Sequence, residues 1–438
     1  MPTFPRIAVG TVQPRAESQL VTWALMAALA KSGRQVQHFH SRACFLPCDG
    51  AITATGANSR HLDSWLMNRE ICHAIFARAA RTAGMSVIEG TYAGHDHNVG
   101  SGGTLDLLCQ WLDLPQLAVI DIAQLNGCRL PQRPTAADGL LLDRIPNPAE
   151  FHRYKTVLES LWGIPVLGGL TELSQLRAAA GKLSGGDSVP QEMCDALSAD
   201  LQRQTNFEAI LGMAQRRELA PVLPAGPLPA GQTRIAVAYD AAFHCYFPDT
   251  LELLESRGVT VVDFSPLRDE GLPPDTDIVY LGCGHPEKYA DELAENHCMA
   301  SALRNHVCAG RRMYAEGGGL AYLCQYLEAQ DCGRRPMCGV LPALATLNPA
   351  PTPPLPVELN LASTTWIGAA GRPVRGYLNS MWNLTPSAQL SPRVADSVHK
   401  WDLVGRRNAI GSRLHLNFAA QPSLFERFLE PQAACLGA

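Results

Sequence analysis

Short apolar runs alternate with stretches of helical periodicity along the first half of the chain. Residues 20–31 and 70–83 repeat apolar positions at helical spacing. Such alternation predicts an α/β fold with a mostly parallel sheet and helices on both of its faces. The apolar runs predicted as strands in this half are residues 6–10, 36–39, 86–88, 118–122, 139–142 and 166–168.

The second half repeats the alternation and is predicted to form a second α/β domain. Its predicted strands are residues 235–238, 259–264, 278–281 and 312–315. Between the halves, residues 219–232 carry four prolines among small residues, a composition that cannot continue a helix. We therefore predict domains at residues 1–218 and 234–438, joined by a proline-rich linker at residues 219–233.

The composition is that of a globular protein with enough residues for two cores. Of 438 residues, 46% are apolar and 18% are charged. A net charge of −5 provides no basic surface, so we expect no nucleic-acid partner. The apolar run at residues 20–29 is too short to cross a bilayer and follows no secretory leader, so we expect no membrane association and a cytoplasmic location. In such a chain the fourteen cysteines are expected to be reduced.

Residues 314–323, Tyr-Ala-Glu-Gly-Gly-Gly-Leu-Ala-Tyr-Leu, predict a strand, a sharp turn and the start of a helix. This geometry lifts a nucleophile above an α/β sheet, and Gly317 stands at its apex. The segment resembles the pattern YAECGGLMYL of cobyrinate a,c-diamide synthases, where the resemblance implies a nucleophilic cysteine. Because glycine has no side chain, position 317 cannot attack a glutamine amide.

Further segments resemble the same family, and the likeness extends from residue 6 to about residue 429. The segments are residues 54–67, 238–249, 281–287 and 411–418. The resemblance implies a P-loop-NTPase-like parallel sheet followed by a class I glutaminase-like, flavodoxin-like domain. It also implies ATP- and glutamine-dependent amidation, in which ammonia from the second domain attacks an acyl phosphate of a tetrapyrrole carboxylate in the first.

The turn after the first strand, residues 10–19, lies where the family has the phosphate loop GTSSGVGKTT. Such a loop needs glycines for close backbone approach and a lysine that neutralises phosphate charge. Here Pro14 and Ala16 occupy glycine positions, and Glu17 replaces the lysine. Ser18 keeps a hydroxyl and is a candidate cofactor-binding residue, although the turn also reads as an ordinary strand-to-helix connection. A carboxylate repels triphosphate, so Mg-ATP binding is doubtful.

A second position that the resemblance links to nucleotide binding also differs from the family pattern. Asp143 stands where the family has an asparagine that reads the adenine edge. An ionised carboxylate accepts hydrogen bonds but cannot donate the ones that an amide offers.

The segment after the second strand, residues 38–49, has nitrogen and sulfur groups where the family pattern has hard oxygen ligands. His40 takes the family's lysine position, Cys44 and Pro47 take two aspartate positions, and Cys48 is close by. Imidazole and thiolate suit Zn²⁺, Ni²⁺ or haem iron better than Mg²⁺.

Residues 87–97 resemble the family pattern VVEGVMGLFDG. Glu89 and Asp96 match it and are candidate cofactor-binding residues, while His95 and His97 are additions. A His-x-His pair on a strand places both rings on one face. The two segments therefore predict a metal or metallo-ligand site, unless their residues are ordinary buried cysteines and histidines. The candidate metal ligands are His40, for which His38 is the alternative, together with Cys44, Cys48, His95 and His97.

Residues 54–67 resemble the family's ATGRPSRNLDSWMM, a segment that the resemblance places near the tetrapyrrole and nucleotide. Asp63, Ser64 and Trp65 are therefore candidate cofactor-binding residues. The same letters also predict a capped helix start, with Asp63 or Ser64 as the N-cap and Trp65 in the core.

The glutaminase-like segments of the second domain are altered at several positions. His415 matches the general-base histidine, whereas Asn417 replaces a second histidine. Cys283 introduces a thiol into the strip that resembles the oxyanion segment LGGGYPE. It lacks the exposure of an elbow residue, so we do not expect it to replace the nucleophile.

The leading hypothesis is a family member that is inactive as a glutamine amidotransferase. Its ligand is a tetrapyrrole or a transition metal, or it supports an active partner enzyme, and a homodimer is plausible. The alternative is amidation of a tetrapyrrole carboxylate with ATP or free ammonia, with Arg15 or Arg42 replacing the lysine. A third hypothesis is an interaction protein without a small-molecule ligand.

Overall fold

A computed structural model describes residues 4–13, 16, 18–45, 48–92, 103–125, 130–134, 136–183, 187–215, 233–387 and 389–430. The chain forms two compact units, residues 1–224 and 225–438. Residues 216–232, between them, lie outside the described residues, so the proline-rich linker remains a prediction. Across the described ranges, no helix is long and apolar enough to span a membrane.

The first unit is built on a parallel sheet, as predicted. Its strands are β1 (Arg6–Thr11), β2 (Val36–His40), β3 (Arg60–His61), β4 (Met85–Thr91), β5 (Gln116–Asp121), β6 (Gly139–Ile145) and β7 (Val166–Thr171). They pair in the order β3-β2-β4-β1-β5-β6-β7, and every neighbouring pair is parallel. All six positions of β1 are buried, as expected for a strand with helices on both faces of its sheet.

Helices cover the sheet of the first unit. They are α1 (Gln19–Lys31), α2 (Ala51–Thr55), α3 (Arg69–Ala80), α4 (Leu105–Leu112), α5 (Pro148–Trp162), α6 (Ser174–Ala180), α7 (Gln191–Gln204) and α8 (Phe207–Ala214). The side chains of Asn68 and Asn147 accept main-chain N–H groups and start α3 and α5. Helix α1 buries nine consecutive residues, from 21 to 29, in the core of this unit. It can be apolar on nearly all sides because the sheet, α2 and α7 surround it.

The second unit contains a larger mixed sheet and smaller ones. Its strands are β8 (Arg234–Ala238), β9 (Phe243–Cys245), β10 (Thr260–Phe264), β11 (Ile278–Leu281), β12 (Cys283–Gly284), β13 (Arg312–Glu316), β14 (Cys324–Ala329), β15 (Gly333–Pro336), β16 (Leu341–Leu347), β17 (Leu355–Asn360), β18 (Pro373–Leu378), β19 (Trp382–Pro386), β20 (Ser391–Pro392), β21 (Leu403–Arg406), β22 (Ala409–Ser412) and β23 (Leu414–His415). The main sheet has the order β10-β8-β11-β13-β22-β21-β20, and its last two pairings are antiparallel. The smaller sheets are β12-β9, β15-β14-β16-β19 and β17-β18-β23.

The helices of the second unit pack on the main sheet. They are α9 (Pro248–Ser256), α10 (Ala290–Glu295), α11 (His297–Cys308), α12 (Gly318–Leu323) and α13 (Pro422–Leu429). Short 3-10 helices in the chain cover Ile122–Gln124, Pro286–Tyr289 and Phe418–Ala420. Two apolar clusters form on this unit's strands and helices, one of which includes α12 and the other α13. The predicted α/β class is confirmed in both units.

Candidate functional site

Two histidines at the end of β2 share one face of the parallel sheet in the first unit. His38 and His40 are two residues apart along a strand, which places both rings on one side, with centroids 4.4 Å apart. In the strand register, His40 lies opposite Glu89 of β4 and His61 of β3. The carboxyl ends of parallel strands meet at one edge of a sheet, where ligands bind in this class of fold.

Each histidine approaches a carboxylate. His38 Nε2 lies 3.4 Å from Glu89 Oε2, and His40 Nε2 lies 3.4 Å from Asp49 Oδ2. The Ser18 hydroxyl donates a hydrogen bond of 2.9 Å to Glu89 Oε1. Ser18 and Glu89, both predicted to bind a cofactor, are thus brought together beside the histidine pair.

Burial and charge oppose each other in this group. Burial lowers the pKa of His40, but the hydrogen bond and charge of Asp49, with the charge of Glu89, raise it above 6.5. Burial also works to raise the pKa of Glu89, and the charge of the neighbouring His38 reverses that effect. At His61, burial and the neighbouring His40 hold the pKa well below its ordinary value. The site therefore favours a positive charge at the His40 position.

A metal-binding geometry is present in this group. One nitrogen each of His38 and His40 and one oxygen of Asp49 all lie within 4.8 Å of one another. Within the described ranges, this is the group of histidine, cysteine and acidic side chains that could hold a metal ion. The predicted ligand His40 and its alternative His38 both belong to it, whereas Asp49 was not in the predicted ligand set.

The structure does not bring the predicted cysteine ligands into this group. Cys44 is buried, and burial raises the pKa of its thiol to about 11. Cys48 Sγ faces the main-chain oxygen of Asp187 at 3.8 Å, and burial raises the pKa of its thiol to about 11 as well. Because the thiolate is the metal-binding form, both surroundings disfavour coordination. His95 and His97 lie outside the described residues.

The segment that contains Asp63, Ser64 and Trp65 forms a turn, and helix α3 begins farther along the chain. Asp63 is fully buried. Its carboxylate accepts hydrogen bonds from the main-chain N–H groups of Ala43, Trp65 and Leu66. The Ser64 hydroxyl lies 3.4 Å from the main-chain oxygen of Thr104, and Trp65 is half-buried rather than in the core. Asp63 thus caps a turn, while Ser64 and Trp65 are partly accessible.

The nucleotide-related positions of the first unit are engaged within the protein or not described. Asp143 Oδ1 pairs with Arg177 Nη2 at 2.5 Å, and the carboxylate is buried. Burial raises the pKa of Asp143, and the Arg177 guanidinium opposes the rise. Glu17 and Asp96 lie outside the described residues.

In the second unit, β13 enters a sharp turn at Gly317 and continues into α12, as predicted. Gly317 has a φ of 53°, a left-handed conformation that favours glycine. The preceding carboxylate, that of Glu316, is fully buried. It accepts hydrogen bonds from the hydroxyls of Tyr280 and Tyr314 and from the N–H of Leu416. Burial raises the pKa of Glu316 to about 7, and these hydrogen bonds limit the rise.

The sulfur of Cys283 fills the space beside the turn. A side chain at position 317 would place its Cβ atom 2.6 Å from Cys283 Sγ, closer than such atoms pack. Cys283 lies on β12, opposite Cys245 of β9. Burial, with the charge of Glu316 and the neighbouring Cys245, raises the pKa of Cys283 well above its ordinary value. The residue is therefore a neutral thiol at neutral pH.

His415 is buried next to an amide. Its Nε2 lies 2.9 Å from Asn379 Nδ2, and burial lowers its pKa to about 3. An efficient general base has a pKa near the working pH, and the pKa of this imidazole lies far below neutral pH. Asn417, at the second histidine position, accepts a hydrogen bond from the N–H of Ala420 and starts a 3-10 helix.

Sequence reasoning missed Asp49 and the contact that Cys283 makes. Asp49 comes from the loop after β2, where no periodicity fixes the direction of a side chain. Cys283 was recognised as a thiol near the turn, but its contact with position 317 depends on the pairing of β12 with β9. His38 was predicted as the alternative to His40, and the structure brings both into the group.

Comparison with known proteins agrees with the resemblance. Residues 234–422 match the family model of the CobB/CobQ-like glutamine amidotransferase domain. The cobyrinate a,c-diamide synthase of Syntrophotalea carbinolica is 30% identical over 359 residues, which cover 77% of each chain. The protein of the same name from Dehalococcoides mccartyi is 27% identical over 458 residues, which cover 97% of this chain and 98% of that protein. A solved glutamine amidotransferase structure covers 45% of this chain and 97% of its own, at 16% identity and a TM-score of 0.35.

The family predicted from the motifs is confirmed by relatives that span both compact units. The two units also have the α/β architecture that the family resemblance implied. With this level of identity over this share of its length, the chain belongs to the cobyrinate a,c-diamide synthase family.

Proposed function

We propose that this chain is a divergent family member that does not hydrolyse glutamine and that binds a tetrapyrrole or a metal ligand in its first unit. The observation that carries the loss of hydrolysis is the contact at the β13–α12 turn. Gly317 supplies no nucleophile, and the sulfur of Cys283 occupies the space that a side chain there would need. An acyl-enzyme cannot form on a residue without a side chain.

The neighbouring groups support this proposal. The Cys283 thiol is buried and protonated, whereas a nucleophilic cysteine needs a lowered pKa and an adjacent base. His415 is itself buried, and Asn379 lies within hydrogen-bond distance of its Nε2.

The experiment is covalent labelling with diazo-oxo-norleucine, a glutamine analogue that alkylates nucleophilic thiols, read by peptide mass spectrometry. We expect no label in the wild-type protein and no release of ammonia from glutamine. The double variant Cys283→Gly/Gly317→Cys returns a thiol to the turn and removes the sulfur that would collide with it. Labelling of that variant at position 317 shows that the assay detects a working site. Labelling of the wild-type protein at Cys283, with ammonia release, would refute the proposal.

The ligand-binding half of the proposal rests on the first unit. Ser18 and Glu89 hydrogen-bond each other, and Asp143 is paired with Arg177, so groups at nucleotide-related positions serve the protein itself. We expect calorimetry to find no micromolar binding of Mg-ATP. Ultraviolet–visible titration with corrinoids, haem and other tetrapyrroles tests the ligand directly, and a tetrapyrrole that binds without ATP supports the proposal. Micromolar ATP binding would contradict it.

A second candidate function is amidation of a tetrapyrrole carboxylate with free ammonia. The favouring observation is that similarity to the Dehalococcoides mccartyi protein covers 97% of this chain, including the first unit. The activating cation would be Arg42 or Arg15, of which Arg15 lies outside the described residues. Turnover with ATP and ammonium that disappears in Arg42→Ala or Arg15→Ala would favour this function, and absence of turnover would remove it.

The proposal also includes two associations: the chain supports an active enzyme as its partner, and it forms a homodimer. Sedimentation of the purified chain, alone and mixed with an active family member, measures both associations. A monomer that binds neither would remove this role.

A further inference from the structure

We propose that His38, His40 and Asp49 bind a divalent transition-metal ion in the first unit. The three ligand atoms lie within 4.8 Å of one another. This inference deepens the ligand-binding half of the proposed function and rests on it, but it names the metal ion alone as the ligand. The glutaminase-like turn of the second unit plays no part in it.

A second observation points to a missing ligand. His38 is fully buried, yet its Nε2 makes no hydrogen bond, and neither does the buried Oε2 of Glu89 that lies 3.4 Å away. Buried polar atoms are usually hydrogen-bonded, and these two atoms have only their ion pair with each other, which calls for an explanation. A cation between the imidazole and the carboxylate group would satisfy both.

The ring of His38 is held for coordination. Its Nδ1 lies 2.7 Å from Ser59 Oγ, so the second ring nitrogen is already occupied. Histidines that bind metals commonly use one nitrogen for the metal while the other is held by a hydrogen-bond partner. Ser59 is therefore a positioning residue, and it leaves Nε2 of His38 facing Glu89.

The donor set selects the class of ion. Two imidazole nitrogens and a carboxylate oxygen suit Zn²⁺, Co²⁺ or Ni²⁺, whereas Mg²⁺ prefers oxygen ligands alone. Zinc lies about 2.0–2.2 Å from such atoms, so the ligand atoms of a tetrahedral site are roughly 3.3–3.6 Å apart. His40 Nε2 and Asp49 Oδ2, which are 3.4 Å apart, meet this spacing, and Glu89 is placed to act as a fourth ligand or to orient His38.

The competing explanation is a pair of histidine–carboxylate ion pairs that need no metal. The second unit offers a matched control, because His399 Nδ1 lies 2.7 Å from Asp402 Oδ2 outside any described metal-binding group. If ion pairing alone attracts metal, that pair should do so as well. If the convergence of three ligands matters, substitution there should change nothing.

The experiment uses the full chain, stripped with a chelator and titrated with Zn²⁺ against a chromophoric competitor, and then with Co²⁺ for its visible spectrum. We expect one equivalent of Zn²⁺ and the intense visible bands of low-symmetry Co²⁺ for the wild-type protein and for His399→Gln. Both His40→Gln and Asp49→Asn should weaken Zn²⁺ binding at least about 100-fold, and Ser59→Ala about 10–100-fold. Circular dichroism and thermal unfolding of each variant establish that it is folded.

Each other outcome would overturn the inference. Wild-type protein that takes up no Zn²⁺ or Co²⁺ contradicts it, as does a folded Asp49→Asn or His40→Gln variant with unchanged affinity. Tetrapyrrole binding without metal-ion binding would also overturn it, while leaving the ligand-binding half of the proposed function intact.

Discussion

Position 317 has a residue without a side chain, and position 283 has a thiol where the family pattern has glycine. The structure joins these two changes, because Cys283 Sγ lies where a Cβ atom at position 317 would need to be. A side chain introduced at position 317 alone would collide with Cys283, and glycine introduced at position 283 alone would leave a cavity. The two differences from the family pattern therefore compensate each other in volume.

We predict that Gly317→Ala lowers the free energy of unfolding by about 2–5 kcal/mol. The left-handed backbone contributes roughly 1–2 kcal/mol, and overpacking against Cys283 contributes roughly 1–3 kcal/mol. In a Cys283→Gly background the overpacking contribution should vanish, which gives a coupling of about 1 kcal/mol or more. Gly310→Ala is the control, since Gly310 has a φ of 80° but no atom within 4 Å of a Cβ at that position. Urea denaturation measures all four variants, and additive effects of positions 317 and 283 would contradict the contact.

Glu316 makes stability depend on pH in an unusual direction. Its pKa is raised from 4.5 to about 7, so the folded protein holds a proton that the unfolded chain has lost between these values. The stabilisation is complete below pH 4.5 and is lost as the pH rises through 7, on the order of 3 kcal/mol in total. The titratable groups that face it have raised pKa values and stay neutral over this range. They are Tyr246, Tyr280, Tyr314, Cys245 and Cys283.

We therefore predict that the free energy of unfolding of Glu316→Gln, measured relative to that of the wild-type protein, is higher at pH 8 than at pH 5. The substitution keeps the shape of the protonated carboxyl but removes its titration. Denaturation of both proteins at the two pH values gives the difference, in which all other titrating groups cancel. A difference that does not change with pH would show that the carboxyl is not protonated in the folded state at pH 5.

At the scale of elements, the sequence specified strands better than their surroundings. The buried strands β8 and β11 were predicted within a residue, because a short, continuous apolar run is typical of a buried strand. Helices α7 and α8 and the small sheets formed by β14–β19 were not predicted.

In the candidate sites, too, residues on strands were predicted better than residues on loops. The segments that contain His40 and Glu89 were predicted to face one pocket because they belong to neighbouring strands of one parallel sheet, and the two residues do lie opposite each other. Ser18, a separate candidate, hydrogen-bonds Glu89. Asp49 was not predicted because a loop brings it back to the strand end. Cys44 and Cys48 illustrate the converse: their place in the segment after β2 suggested ligands, but the structure buries Cys44 and places the sulfur of Cys48 beside the main-chain oxygen of Asp187.

The ion pair between Asp143 and Arg177 connects β6 with α6, and we predict that it stabilises the first unit. Asp143→Asn keeps the size of the side chain but leaves the partly buried guanidinium without its charge partner. We expect a loss of about 1–3 kcal/mol in the free energy of unfolding by urea. The exposed pair of Lys31 and Asp195 is the control, and Asp195→Asn should cost about 0–1 kcal/mol. Equal effects of the two substitutions would assign no special role to the buried pair, and a gain of ATP binding in Asp143→Asn would assign it to nucleotide exclusion instead.

At the scale of the whole molecule, the two proposals concern different compact units and can be separated by where a ligand acts. A metal ion that joins the end of β2 to the loop with Asp49 suppresses local opening of those segments. At a free concentration of 100 times Kd, it stabilises the bound form against openings that destroy the site by about 2.7 kcal/mol. Residues 233–430, which contribute no proposed ligand, gain nothing directly.

Hydrogen exchange with and without Zn²⁺ measures this distribution. We expect slower exchange in peptides covering β2, β4 and residues 48–61, and unchanged exchange in peptides from residues 233–430. Asp49→Asn should abolish the protection, because it removes a ligand, whereas His399→Gln should retain it. Protection in Asp49→Asn would place the metal elsewhere. Protection that reaches the second unit and disappears in Asp49→Asn would instead show that the metal site and the glutaminase-like unit are energetically coupled, so that the ligand of one unit controls the other.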